Sequence, residues 1–453
     1  MKILLVRPGL GVLGRRKYSS RACMEPLALA ILAGLTPKGV EVTACDDRFE
    51  EIPYDGDFSL VALSVGTFQA RRAYEIGDEF RRRGVKVVMG GFHITFCPDE
   101  AKEHADAIAL GEAEGLWPQI VEDAQKGQLK ERYKHQEPPR LGGVLPDRSI
   151  FADKSYIPMS VIQFGRGCHH NCDFCCIKAF YKTGCRHRPS EDVIAEIEDA
   201  GRSWVFFTDD NLVVDKERAK EFLKALIPLR LHWTSQVSLD FVDDDELLAL
   251  MVKSGCQCVV IGLESLDEKN MKQMGKGWSK AGAYEEKLAK IRAHGLMVYA
   301  TFVFGYGNDT EEVFQRTLGF AMEQKFFLVN FNHLQPYPGT RLYKRLKKEG
   351  RLIYDRWWLE ESYRFGDACF QPEKMSAQEL TDGAFKARAS FYSWRGILSR
   401  MWDFSANFKS FYNGSTFLTC NIISRQDILR KQGLMLGLGR TKEDKRLIEE
   451  PSA

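Results

Sequence analysis

Apolar residues in the first part of the chain fall in short, near-continuous runs. KILLVRP (2–8), VEVTACD (40–46), LVALSVGTF (60–68), VKVVMGG (85–91) and AIALGE (107–112) have the length and composition of buried strands. Between them lie runs with one apolar face, such as ARRAYEIGDEFRRRG (70–84) and PDEAKEHAD (98–106). Buried strands alternating with amphipathic helices predict a parallel sheet covered on both faces. Sheets of that kind take ligands at the carboxyl ends of their strands. Residues 126–155 are polar and rich in Pro and Gly, which predicts a linker or wrapping segment. A second series follows, with strands at MSVIQF (159–164), WVFFTD (204–209), HWTSQVSL (232–239), CVVIGLE (258–264), VYATFVF (298–304) and LVNFNHLQ (328–335). Helical runs such as SEDVIAEIEDAG, ERAKEFLKAL and DDELLALMVKSG separate them. Six βα units predict part of a barrel, with functional groups at the strand carboxyl ends. From about 346 onward the pattern turns aromatic, basic and helical.

The expected fold class is therefore α/β, in four parts: a Rossmann-like doubly wound parallel sheet over 1–125, the linker over 126–155, a partial (β/α)6 TIM-type barrel over 156–345, and a mainly helical region over 346–453. A chain of 453 residues is long enough for two or three cores. Hydrophobic residues at 44% and charged residues at 28% describe an ordinary globular protein. A formal net charge of +2 supplies no general attraction to nucleic acid, which is not expected as a partner. The amino-terminal MKILLVRPGLG is too short for a signal sequence, and no apolar run reaches the ~18 residues of a membrane span. A cytoplasmic location is expected, with peripheral membrane association left open.

Twelve cysteines without a signal sequence favour metal ligation or reduced buried thiols over disulfides. Cys23, Cys45, Cys97, Cys256, Cys258, Cys369 and Cys420 are scattered and read as small core residues. The exception is FGRGCHHNCDFCC (164–176), just after the first strand of the second series. Cys168, Cys172 and Cys175 have C-x3-C-x2-C spacing, and no second pair completes a four-ligand zinc site. Iron–sulfur cubanes are usually held by four thiolates on short spacings. Three would leave one iron free to bind a small molecule carrying an amine and a carboxylate. Cys176 and Cys185 are then extra thiols, and His169 and His170 read as polar loop groups.

With Phe174 before the last cysteine, this loop resembles the signature of the radical S-adenosylmethionine (SAM) superfamily. The resemblance implies a 4Fe–4S cluster on Cys168, Cys172 and Cys175, and SAM as cofactor beside Phe174. Strand alternation places Thr234, Gln236 and Ser238 on the lumen, with Gly262 and Glu264 sharing one face and Thr208 and Asp210 another. Gln163 on the first strand joins this set. By resemblance, Asp209, Asp210 and Asn211 lie where contacts to the SAM amino group usually sit. Gln236, Ser238 and Glu264 lie where carboxylate and ribose contacts sit, and Gly305 matches a glycine that leaves room for adenine. The same residues also suit helix caps and polar barrel layers. His333, Gln335 and Tyr337, in HLQPYPGT, are the candidates for substrate contact. No catalytic residue is assigned.

In the first domain RPGLGVLG has G-x-G-x-x-G at Gly9, Gly11 and Gly14, but RRKYSSRAC intervenes before any helix, which disfavours dinucleotide binding. EPLALAILAG and GGFHITFCPDEAKEHADAIALGEAEGLWPQIVED instead resemble the cobalamin (B12)-binding domain fused to many radical SAM proteins. FFTDDN, GLES and QPYPGT resemble the same fused subfamily, and the tail is loosely similar to hopanoid methylases. Cobalamin carriers with a lower histidine show D-x-H-x-x-G after the first strand, whereas this chain has PGLGVLG. Either cobalt is free of a protein imidazole or the domain has lost the cofactor; His93, after another strand, does not replace the missing ligand. Thr67, Gly90, Gly91, Glu112 and Glu114 are the strand-end candidates for a cobalamin cleft.

Together these resemblances imply an enzyme that cleaves SAM reductively, with electrons from a reductase such as flavodoxin or ferredoxin. A cobalamin-dependent methyltransferase acting on an unactivated carbon of a small-molecule or lipid-like substrate is the leading expectation. Trp357, Trp358, Phe391, Tyr392, Trp394, Trp402, Phe404 and Phe408 are the candidate surface for an apolar substrate, or else core. The alternatives are a non-methylating radical enzyme (cyclisation, C–C bond formation or rearrangement), an electron carrier or metal sensor, and a corrinoid carrier.

Overall fold

A computed structural model describes residues 1–13, 16–182 and 184–438. Six parallel strands build the first domain in the spatial order 41–46, 2–7, 60–64, 86–90, 107–110, 132–134. Residues on both faces of these strands are buried, as their near-continuous apolar runs require. Leu4, Val6, Val61, Leu63, Val87 and Met89 join one core, while Ile3, Leu5, Leu60, Ala62 and Val88 join the other. Helix Ala70–Arg82 covers the first face, and helices Leu27–Leu35 and Leu116–Gln125 cover the second. The strand order reverses between 2–7 and 60–64, so the domain has a topological switch point there.

The linker expectation needs one correction. Within 126–155, Arg132–Lys134 pairs in parallel with Ala107–Leu110 and adds the sixth strand. Only Tyr133 of the three is buried, so no apolar run announced it. Of the three glycines near the amino terminus, Gly14 lies outside the described residues and Gly11 belongs to a short strand. Gly11–Leu13 pairs with Met435–Leu436 near the other end of the chain. A Cβ at Gly11 would collide with the Met435 carbonyl, so glycine is what admits the returning strand.

The second series forms six parallel strands in sequence order: 160–162, 204–207, 232–237, 256–264, 297–304 and 328–333. Their helices and the barrel wall share one large core. The open edge lies along 328–333, and the tail covers it. Helix Ala377–Phe391 packs there, and the Tyr392 hydroxyl bonds both the amide and the carbonyl of Val329, each at 3.0 Å. Unpaired edge groups of a sheet are thereby satisfied within the chain. Cys258, Met297 and Phe327, at the amino-terminal strand ends, pack with Ile397 and Phe417 of the tail helices, which plug the barrel bottom.

Of the eight tail aromatics read as substrate surface or else core, half are packing groups. Trp357, Trp358, Phe391 and Tyr392 are buried core residues. Trp394, Trp402 and Phe404 lie on the exterior, 53%, 55% and 66% exposed, and Phe408 meets Trp402 at a tilt and Phe404 edge-on. Among the described residues no helix is long and apolar enough to cross a membrane.

Candidate functional site

A two-stranded ribbon, Gly165–Arg166 with Arg186–His187, closes the base of the cysteine loop. Cys168, Cys172 and Cys175 point from it into a cavity of about 500 Å³ at the carboxyl-terminal mouth of the barrel. Cys176 begins helix Cys176–Tyr181 and is not part of the cavity lining. The spacing thus brings three thiols together and turns the fourth away. Burial pushes Cys172 up to about 11 and Cys175 up to about 12, so the neutral thiols wait for a metal charge to ionise them. Asp173, inside the loop, ties it to the barrel: it accepts from the Tyr306 hydroxyl at 2.7 Å and pairs with Arg345 at 2.6 Å.

The wall beside the thiols carries Phe174, Asp210, Asn211, Gln236, Ser238 and Glu264. Asn211 and Ser238 bond each other, Nδ2 to Oγ at 3.0 Å. Glu264 follows a register shift in its strand and has φ +63°, a left-handed conformation that costs a non-glycine residue about 1 kcal/mol or more. That twist turns its carboxylate onto the Lys276 ammonium at 2.9 Å, with Thr301 at 3.5 Å. Lys276 also donates to the Gly262 carbonyl at 2.5 Å. His333, Gln335 and Tyr337 line the same cavity from the sixth strand and the loop after it.

Three expected SAM contacts lie elsewhere. Asp209 is 1% exposed and accepts from the Phe164 and Gly165 amides at 3.0 and 2.5 Å, so it fixes the end of the first strand rather than facing the cavity. Burial raises its carboxyl to about 7. Thr208 is absent from the lining and its amide continues the ladder to the Ile162 carbonyl. Gly305 faces the tail: a Cβ there would approach Leu380 to 2.9 Å and Phe370 to 3.0 Å, and its φ of +104° favours glycine in any case. Gln163 is engaged by Arg166 at 2.7 Å, and Thr234 by the Cys258 carbonyl at 2.8 Å.

In the first domain Gly90, Gly91, Glu112 and Glu114 line an apolar cleft of about 200 Å³ between helices 27–35 and 116–125. Arg166 and Tyr181 of the cysteine loop face the same cleft. Thr67 lies outside it, buried at the start of a short helical turn, whereas the next residue, Phe68, reaches the barrel cavity. The two carboxylates are already paired: Arg166 meets Glu112 at 2.7 Å and Glu114 at 2.6 Å, and Arg186 meets Glu112 at 2.5 Å. His93 is fully buried and bonds Tyr74 and Glu100, both at 3.1 Å. Glu100 Oε1 already accepts from Tyr74 and Trp358, so the nearby His93, Cys97 and Glu100 form a hydrogen-bond hub. No histidine lines the cleft among the described residues, in keeping with the missing D-x-H-x-x-G.

Sequence reading missed Lys276, Trp278, Thr301, Tyr363 and Arg388, all of which line the barrel cavity. Lys276 and Trp278 sit in a loop, GKGWSK, whose composition suggests only exposure. Alternation along VYATFVF could have flagged Thr301, which shares the lumen face with Tyr299 and Val303, but nothing local marks Tyr363 or Arg388.

Comparison with known proteins agrees with this geometry. Residues 162–321 match the family described as Radical SAM superfamily, residues 18–121 match the B12 binding domain, and residues 340–442 match a domain of unknown function (DUF4070). The bacteriochlorophyllide d C-8(2)-methyltransferase of Chlorobaculum tepidum is 31% identical over 83% of this chain and 87% of its own. The hopanoid C-2 methylase of Rhodopseudomonas palustris is 26% identical over 74% of this chain and 66% of its own. The fold is also that of the radical SAM methyltransferase TsrM from Kitasatospora setae, solved with cobalamin and an iron–sulfur cluster, at TM-score 0.66 and 15% identity over 94% and 98% of the two chains. From cysteine loop, barrel, cleft and these likenesses together, the chain belongs to the radical SAM superfamily, among the methyltransferases built on a B12-binding domain and a radical SAM barrel.

Proposed function

We propose that the chain is a cobalamin-dependent radical SAM methyltransferase that methylates an unactivated carbon of a small-molecule or lipid-like substrate held in the barrel cavity. The observation that carries this reading is three thiols, Cys168, Cys172 and Cys175, on one wall of a cavity that Phe68 of the B12-binding domain helps to line. The donor set fits a cubane with one iron left to a small ligand. The cleft lined by Gly90, Gly91 and Gly111 lies at the strand ends of the first domain, where a parallel sheet of this kind takes its ligand.

When bound, the cluster supplies one electron to SAM and cobalamin supplies the methyl carrier; the protein supplies position and dryness. Asn211, Gln236 and Ser238 offer hydrogen bonds to the amine, carboxylate and ribose of SAM beside the thiols. Lys276 holds Glu264 in its strained backbone position and presents a cation on the same wall. Trp278, stacked on His170 with ring centroids 3.8 Å apart, closes the solvent side of that wall. An external single-electron donor of flavodoxin or ferredoxin type belongs to this reading.

The test is anaerobic turnover with dithionite, hydroxocobalamin and SAM carrying a deuterated methyl group. Wild-type protein should yield 5′-deoxyadenosine, and Cys172→Ala should lose both its iron and that product, whereas Cys176→Ala retains them. Full activity in Cys172→Ala would refute the ligand assignment. Deuterium appearing in a substrate from extract supports methyl transfer; 5′-deoxyadenosine without any labelled product would point to a non-methylating rearrangement.

A further inference from the structure

The barrel cavity carries, on the tail helix packed against the sixth strand, a cation with no counter-charge. Arg388, on helix Ala377–Phe391, lines the cavity and makes two long bonds to neutral acceptors, the Ala384 carbonyl at 3.3 Å and the Gln432 amide oxygen at 3.3 Å. Among the described residues no carboxylate pairs with it and its Nη1 has no hydrogen-bond partner. Burial alone lowers its basicity, to about 10.

Other interior arginines of this chain are treated differently. Arg166 has two carboxylates and Arg148 has two, Glu25 at 2.8 Å and Glu196 at 2.7 Å. Arg400 has no acid but has five neutral acceptors, Gly396, Phe326, Phe327, Phe391 and Asn421. Arg388 has neither solution. A half-buried guanidinium that faces a cavity with neither an acid nor close acceptors is left for water or a ligand to complete.

Two neighbours point the same way. Tyr363 is 1% exposed, lines the cavity, and its hydroxyl makes no well-directed bond, with the Gln335 amide nearest. His333 lines it too, and both its ring nitrogens are buried without a well-directed bond, with the Asp367 backbone and the Gln335 amide nearest. Burial and the Arg388 charge keep that imidazole neutral, with one N–H to give. A guanidinium fork, a phenol and an imidazole N–H are three donors lining one cavity, with the Gln335 amide and the Asp367 backbone as nearest neighbours and no ion pair among them. Oxyanions are the chemistry that satisfies such a set, and the planar fork pairs best with a carboxylate or phosphate.

We propose that Arg388, with Tyr363 and His333, anchors a carboxylate or phosphate group of the substrate on the side of the cavity formed by the sixth strand and the tail. The proposal rests on the reading of this cavity as the substrate site. It separates anionic substrates from neutral lipids, and it orients the substrate with its charged end at the sixth strand and the tail.

The test uses the full chain and three probes of one shape: naphthoate, naphthyl phosphate and the neutral naphthamide, titrated by fluorescence. Wild-type should bind one or both anions at least about ten-fold tighter than the amide, as a desolvated charge-assisted pair provides. Arg388→Gln should erase that preference, Arg388→Lys should keep part of it, and Lys386→Gln, exposed on the same helix, should keep all of it. Thermal melting guards against misfolding: the favoured anion should raise the melting temperature of wild-type and leave that of Arg388→Gln unmoved at equal ionic strength. The two anions tell a carboxylate pocket from a phosphate pocket. Equal binding of anion and amide, no binding of either, or a preference that survives Arg388→Gln would overturn the proposal. A protein that makes 5′-deoxyadenosine yet ignores probe charge sinks this inference alone, whereas one that selects the anion but never cleaves SAM sinks the functional reading and leaves the anion site standing.

Discussion

His333 shows what a single buried side chain can report. Burial and the neighbouring Arg388 lower its pKa from 6.5 to about 4. The folded chain therefore resists a proton that the unfolded chain accepts. Between pH 6.5 and 4 protonation favours the unfolded state, so stability present above 6.5 is lost as pH falls through this window. His333→Gln removes the term. Urea midpoints of wild-type and His333→Gln, compared at neutral and mildly acidic pH, should converge on acidification; a constant gap would mean that His333 is not held neutral. The residue scale is also where the sequence is most and least legible. Cys168, Cys172 and Cys175 could be read directly, because their spacing is local and their chemistry is specific. Arg388 and Tyr363 could not, because they come from a segment far along the chain and become a site only when the tail folds over the barrel. Gly305 misled for a related reason: its need for glycine comes from φ and from Leu380, neither of which a motif reveals.

The elements that carry the chemistry are small. The ribbon 165–166/186–187 is two residues a side, yet it fixes the cysteine loop to the first domain through Arg166 and Arg186. Phe180, on helix Cys176–Tyr181, stacks on Phe92 of the first domain with ring centroids 4.1 Å apart. Two carboxylates expected to face cobalamin therefore act first as clamps. Removing both, in Glu112→Gln with Glu114→Gln, leaves Arg166 buried without a counter-charge and should cost about 3–5 kcal/mol. The expected result is a lower thermal midpoint and poorer retention of iron, because the clamp and the cysteines share one loop; an unchanged midpoint would mean that the pairs are incidental. The strands of both sheets were legible from their apolar runs. Arg132–Lys134 was not, since a three-residue edge strand with one buried side chain leaves no periodic trace.

At the scale of the whole molecule, two sheets meet at the ends where each binds ligands. The first-domain cleft and the barrel cavity share the cysteine loop as their common wall: Arg166 and Tyr181 face one, Cys168, Cys172 and Cys175 the other. The tail holds this arrangement from outside. It plugs the barrel bottom with Ile397 and Phe417, caps the edge strand through Tyr392, and returns a strand to Gly11. In the proposed reading, the three thiols at that junction leave one iron for SAM. The most direct measurement is the electron paramagnetic resonance spectrum of the reconstituted, dithionite-reduced chain before and after SAM is added. The account requires a reduced cubane whose signal shifts when SAM binds. A signal indifferent to SAM, or bound zinc in place of iron, would contradict it.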